Sequence, residues 1–160
     1  MIVIVMGVVG AGKTTVGKLL AAQMHWEFAD ADDFHSSSNV EKIRNGIPLN
    51  DQDREPWLES LHLAIVKWTS EGKSAVLACS ALKRGYRDRL TAPGVRFVYL
   101  RGDADLIGGR LRSRHGHFAG EAILASQLAD LEEPENAVTV SIAAPPEKIV
   151  AEIRKELGLG

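Results

Sequence analysis

The chain opens on an apolar run, Ile2-Val3-Ile4-Val5-Met6, that passes straight into Gly7-Val8-Val9-Gly10-Ala11-Gly12-Lys13-Thr14. The second segment satisfies G-x-x-x-x-G-K-[ST] at every fixed position, and such a loop works only where a buried strand hands over to a helix. Glycines let the backbone turn tightly with its amide N–H groups aimed inward, where phosphate oxygens can accept from them. Lys13 supplies a cation for outer phosphates, Thr14 a hydroxyl for Mg²⁺, and the helix opening here points its positive dipole end at the anion. The apolar face of Val16, Leu19 and Leu20 gives that helix a side to bury. The expected nucleotide contacts are Gly7, Gly10, Ala11, Gly12, Lys13, Thr14 and Thr15.

Further strand-like runs occur at Glu27–Asp30, Ser74–Cys79, Arg96–Leu100 and Ala137–Ser141. Helical patterns separate them, at Lys13–Met24, Asn39–Asn45, Arg54–Glu71, Gly85–Leu90, Ala104–Arg112, Glu121–Ala129 and Pro146–Leu157. This alternation predicts an α/β fold in which helices cover both faces of a parallel sheet. Trp57, Leu58, Leu61, Ile65 and Trp68 recur at helical spacing and read as core. The 160 residues, without repeat or linker, suit a single domain over 1–160. A net charge of −2 leaves no general field for nucleic acid. The N-terminal apolar run is too short for a membrane span. Cys79 is the only cysteine, and it sits in an apolar run, so it suits a reducing cytoplasm and a buried rather than catalytic thiol.

In open parallel sheets ligands bind beyond the carboxyl ends of the strands, and here those positions are polar. Asp30, Asp32 and Asp33 follow the second strand, where close carboxylates repel unless a metal, cation or substrate hydroxyl offsets them. Phosphoryl transfer needs an acceptor-side base and a metal-facing group; Asp32 is expected to be the first and Asp30 the second, with His35 near the acceptor. Asp53 is the expected cap of the long helix, and Arg54 the residue that opens it, against the dipole and either toward an anionic acceptor or paired with Asp51 or Asp53. Lys83, Arg84 and Arg87 follow the third strand with more positive charge. Arg110, Arg112 and Arg114, then His115-Gly116-His117-Phe118, have the cations and the glycine hinge of a mobile lid. His115 and His117 are too few for a structural zinc site.

Together these segments resemble the gluconokinases of the small, shikimate-kinase-like type. The likeness runs through Gly7–Thr14, Asp30-Ala31-Asp32 with His35, Asn39 with Glu41-Lys42, Pro48-Leu49-Asn50-Asp51 on to Trp57-Leu58, Cys79-Ser80-Ala81-Leu82-Lys83 with Tyr86-Arg87-Asp88, and Gly116-His117-Phe118 with Leu131-Glu132-Glu133-Pro134. The resemblance implies a three-layer P-loop kinase fold with five parallel strands in the order 2-3-1-4-5, a mobile lid and a homodimer. It implies ATP and Mg²⁺ as cofactors, and phosphorylation of D-gluconate at its terminal hydroxyl to give 6-phospho-D-gluconate. Asp32 would then orient the hydroxyl, and His35, Arg54, Lys83, Arg87 and His117 would line the acceptor. Arg110 would lie near the adenine or phosphates, and Arg114 would close over the phosphates. Two departures stand out: Ala119-Gly120 replaces a bulky or basic residue after Gly-His-Phe, and Cys79-Ser80 ends the third strand without an acid. A shikimate or nucleoside monophosphate kinase is the nearest rival, though Cys79–Lys83 stands where shikimate kinases have a glycine run. A guanine-nucleotide switch would need an Asn-Lys-x-Asp segment, and the chain has none.

Overall fold

The computed structural model describes the backbone of residues 1–115 and 118–160, and the side chains of 1–111 and 123–160. Five strands, β1 (Ile2–Met6), β2 (Glu27–Asp30), β3 (Ala75–Ala78), β4 (Val95–Arg101) and β5 (Val138–Ser141), form one sheet in the order β2-β3-β1-β4-β5. Every pairing is parallel, as the sequence led us to expect. The helices are α1 (Lys13–Met24), α2 (Ser37–Arg44), α3 (Asp51–Ser70), α4 (Arg84–Leu90), α5 (Ala104–His115), α6 (Phe118–Asp130) and α7 (Pro146–Glu156).

Side-chain alternation along β1 assigns the two faces of the sheet. Val3 and Val5 pack with Val16 and Leu20 of α1 and with Ile149, Val150 and Ile153 of α7. Ile2, Ile4 and Met6 pack on the other face with Trp57, Leu58, Leu61 and Ile65 of α3. All five β1 side chains are buried, as expected of a central strand covered on both sides.

The ends of several elements differ from the sequence expectation, each for a local reason. The N-cap of α3 is Asn50, not Asp53: the Asn50 side chain accepts from the Asp53 N–H at 2.7 Å, while the Asp53 carboxylate accepts from the Asn50 N–H at 3.1 Å. In this reciprocal box the cap and the residue three positions on are both short polar side chains, so the sequence does not say which comes first. Arg54 consequently lies in the first turn rather than at the helix start. Ser36 caps α2 by accepting from the Asn39 N–H at 3.2 Å, which moves that start forward to Ser37. A short 3₁₀ turn, Ala31–Phe34, was not anticipated; Asp30 caps it by accepting from the Asp32 N–H at 3.0 Å.

Candidate active site

The phosphate loop leaves β1 at the carboxyl edge of the sheet. Gly10 and Gly12 hold φ of +80° and +93° there, a region that strains any side chain. A Cβ on Gly10 would also come within 3.1 Å of Ile107 and Leu111 of α5. Gly7 and Ala11 are the loop's framework. A Cβ on Gly7 would lie 3.1 Å from the Leu100 carbonyl oxygen, and Ala11 is buried with its N–H donating to the Val8 carbonyl at 3.2 Å.

Lys13 begins α1 and its Nζ donates to the Val8 carbonyl at 3.1 Å. Burial pushes its pKa down, and the carboxylates of Asp32 and Asp30 oppose that shift. Thr14 Oγ1 donates to Asp30 Oδ2 at 3.2 Å. The loop and the end of β2 therefore meet, and they do so through the two residues expected to face a metal. A cleft of about 240 Å³ lies between them, lined by Gly10, Lys13, Thr14 and Thr15 on one side, Asp30, Asp32 and Ser80 on the other, and Gln127 of α6. Asp32 opens onto this cleft. Loss of surrounding water, and then the neighbouring Asp30, raise its pKa above the ordinary carboxylate value. Cys79 also lines the cleft, but burial pushes its thiol up to about 12, so it is protonated at neutral pH and no nucleophile.

Beyond Asp32 lies a second group of polar side chains. His35 stacks on Trp57 with ring centroids 4.6 Å apart and planes 11° from parallel. Asn39 Nδ2 faces His35 Nδ1 at 3.3 Å. An amide donor there makes Nδ1 the acceptor and leaves the imidazole proton on Nε2. Burial, together with the Arg54 charge, lowers the His35 pKa against the pull of Asp32. Arg54 Nη1 donates to the Tyr86 hydroxyl at 2.9 Å and lies 3.8 Å from Asp51. Lys83 Nζ donates to Asp51 at 3.1 Å, and the Tyr86 hydroxyl donates to the same carboxylate oxygen. Two cations and a phenol thus converge on one exposed carboxylate at the start of α3.

Arg87 is placed differently from the expected acceptor contact. Its guanidinium is buried and donates to the carbonyls of Ala81 at 2.7 Å, Leu82 at 3.0 Å and Glu132 at 2.7 Å. Ala81 holds a φ of +45°, so Arg87 braces a strained turn after β3 and ties it to the segment that follows α6. A buried arginine must satisfy its donors, and these carbonyls are the partners it finds. Arg84 is exposed. Arg110 donates from Nη2 to the Ile142 carbonyl at 2.8 Å, beside the loop after β5. The side chains of Arg112, Arg114 and His115 lie outside the described residues, as do Gly116 and His117 entirely, and with them most of the expected lid. Sequence reasoning missed Gln127, which has no motif around it, and the contacts of Lys83 and Tyr86 with Asp51, which required the packing of α3 on α4; the pairing of Arg54 with Asp51, the alternative the sequence offered for that arginine, is present.

The chain matches the shikimate kinase family model over residues 9–157. It is 42% identical, over an alignment of 178 positions with gaps, to a probable gluconokinase of Mus musculus, covering 98% of this chain and 97% of that protein. A crystal structure of a sugar kinase from a Janibacter species superposes with a TM-score of 0.89 at 43% identity, over 99% of this chain and 95% of that one. A gluconokinase structure from Sinorhizobium meliloti 1021 gives 0.86 at 39% identity, over 98% and 91%. Likeness of this degree, along nearly the full length of each chain and on the strand order seen here, makes the protein a member of the gluconokinase family, built on the shikimate kinase architecture.

Proposed function

We propose that the chain, acting as one kinase domain over residues 1–160, transfers the terminal phosphoryl group of ATP to the terminal hydroxyl of D-gluconate. The observation that carries this reading is the shared cleft of Lys13 and Asp32, a cation for the migrating group facing a base for the acceptor. The hydroxyl oxygen attacks the terminal phosphorus, the bond to the bridging oxygen breaks, ADP leaves, and the hydroxyl proton passes to Asp32. A carboxylate whose pKa is raised by its surroundings is the better proton acceptor. Lys13 meets the charge gathering on the outer phosphates, and the loop amides hold the rest.

Arg54 and Lys83 give the acceptor's carboxylate a cationic end, with Asp51 and Tyr86 as partners for its hydroxyls. His35, held by Trp57 and Asn39, presents an Nε2–H donor to the same region. Arg87 acts through the turn it braces. By family resemblance Arg110 serves the adenine or the phosphates, Arg114 closes over the phosphates and His117 serves the acceptor. Mg²⁺ fits the corner formed by Thr14 and Asp30, since a hydroxyl and a carboxylate are hard oxygen donors. Among the described residues no group of three or more His, Cys, Asp and Glu side chains could hold a metal alone, which suits an ion that arrives with the triphosphate and keeps its waters. Bound there, it would neutralise phosphate charge. Homodimeric assembly and a cytoplasmic location belong to the same reading; no described helix is long and apolar enough to cross a membrane.

ADP release measured across D-gluconate, shikimate and nucleoside monophosphates tests the choice of acceptor. Turnover with gluconate well above the others is expected. Turnover with only shikimate or a nucleotide would overturn it.

A further inference from the structure

Phosphate-loop amides are arranged to donate to phosphate oxygens, yet one of them is already engaged by a side chain from a distant helix. The Val9 N–H donates to Gln127 Oε1 at 2.6 Å, across 118 residues of chain. Gln127 is half-buried on α6 and lines the cleft together with Lys13, Thr14 and Asp32. A glutamine amide has two unlike ends: an oxygen that accepts and a nitrogen that donates twice. Because the Val9 N–H requires an acceptor, the contact commits the oxygen to the loop. The nitrogen is then the end able to donate into the cleft.

We propose that Gln127 is a positioning and recognition residue for the terminal phosphate of the triphosphate. Its oxygen fixes the outer part of the loop through Val9, and its Nε2 donates to an oxygen of the γ-phosphate. ADP lacks that group, so the interaction favours ATP over ADP. The inference rests on the reading of this cleft as an ATP site, but not on which acceptor is used. The neighbouring chemistry agrees with it: Lys13 supplies a full charge to the same region, and a neutral donor opposite adds direction without a second desolvated cation. α6 is also pinned beyond its end, where Glu132 N–H donates to the Leu82 carbonyl at 2.8 Å, so the glutamine is presented from a fixed support.

Gln127→Glu separates the two halves of this role. The carboxylate keeps an acceptor for Val9 and places negative charge where the donor stood. Gln127→Leu removes both ends with little change of size. ATP and ADP are titrated separately by calorimetry in the absence of acceptor, for wild type and both variants, with thermal melts alongside. We expect Gln127→Glu to weaken ATP by about tenfold or more relative to ADP, the scale of a hydrogen bond to a charged group. Gln127→Leu should narrow the ATP preference in the same direction, and it provides the ratio on its own if the glutamate variant does not fold. An unchanged ATP-to-ADP ratio in a folded variant would overturn the proposal, because a residue that merely braces the loop would affect both nucleotides alike. Gluconate turnover by the wild type, measured separately, bears on the acceptor and leaves this ratio untouched.

Discussion

Asp32 and Lys13 are each kept in an environment that disfavours their charged form. Burial and Asp30 raise the Asp32 pKa, while burial lowers that of Lys13. For Asp32 the folded value lies above the unfolded one, so the native state gains stability as pH falls through the folded pKa and loses it above. Asp32→Asn should therefore melt no lower than wild type at neutral pH; a marked drop in Tm would show that the carboxylate is a structural partner instead. The same substitution should cost about 10²–10⁴-fold in kcat with ATP affinity retained, the usual range for a lost general base. The acid limb of the wild-type kcat profile should lie above the ordinary carboxylate range and vanish in the variant. Lys13→Ala should abolish turnover and weaken ATP binding, which titration of the folded variant would check.

At the scale of elements, each segment was legible wherever local chemistry decided it. The α1 bounds follow from the glycine loop before it and the end of its apolar pattern, and Pro146 marks the first position of α7 as expected of a residue with no N–H to lose. The start of α3 was not legible, because Asn50, Asp51 and Asp53 are all competent caps and only the formed box selects Asn50. Asn50→Ala should cost about 1 kcal/mol by thermal or urea unfolding, whereas Asp53→Ala should in addition break the 2.8 Å pair with Lys42. The role of Arg87 was hidden for a different reason: its partners are backbone carbonyls, one of them contributed by Glu132 far along the chain, and periodicity carries no information about such contacts. Arg87→Ala leaves those carbonyls without their donors in a buried turn, so a loss of about 1–3 kcal/mol is expected in equilibrium unfolding. Gluconate KM should follow only through the displaced Lys83.

For the molecule as a whole, strand order is what brings the chemistry together. With β1 between β3 and β4, and β2 beside β3, the phosphate loop, the aspartates after β2 and the turn after β3 all open from the same edge of the sheet. The sheet holds that edge in place through a core on each face, and Leu61, fully buried in the α3 layer, tests it: Leu61→Ala should cost about 2–5 kcal/mol while leaving ligand contacts intact. The alternation of strands and helices made the class of fold readable in the sequence, and the motif order made the family readable. Contacts across the cleft, Gln127 to Val9 above all, needed the packed molecule. The central claim, that Asp32 and Lys13 act on either side of one migrating phosphoryl group, is tested most directly by phosphorus-31 NMR of the product formed from ATP and D-gluconate. A single new phosphomonoester whose phosphorus couples to the protons of the terminal carbon is expected, formed at least about a hundredfold more slowly when Asp32→Asn replaces the wild type. A phosphorylated gluconate bearing the group on another carbon, or product formation at the wild-type rate by the Asp32→Asn protein, would contradict it.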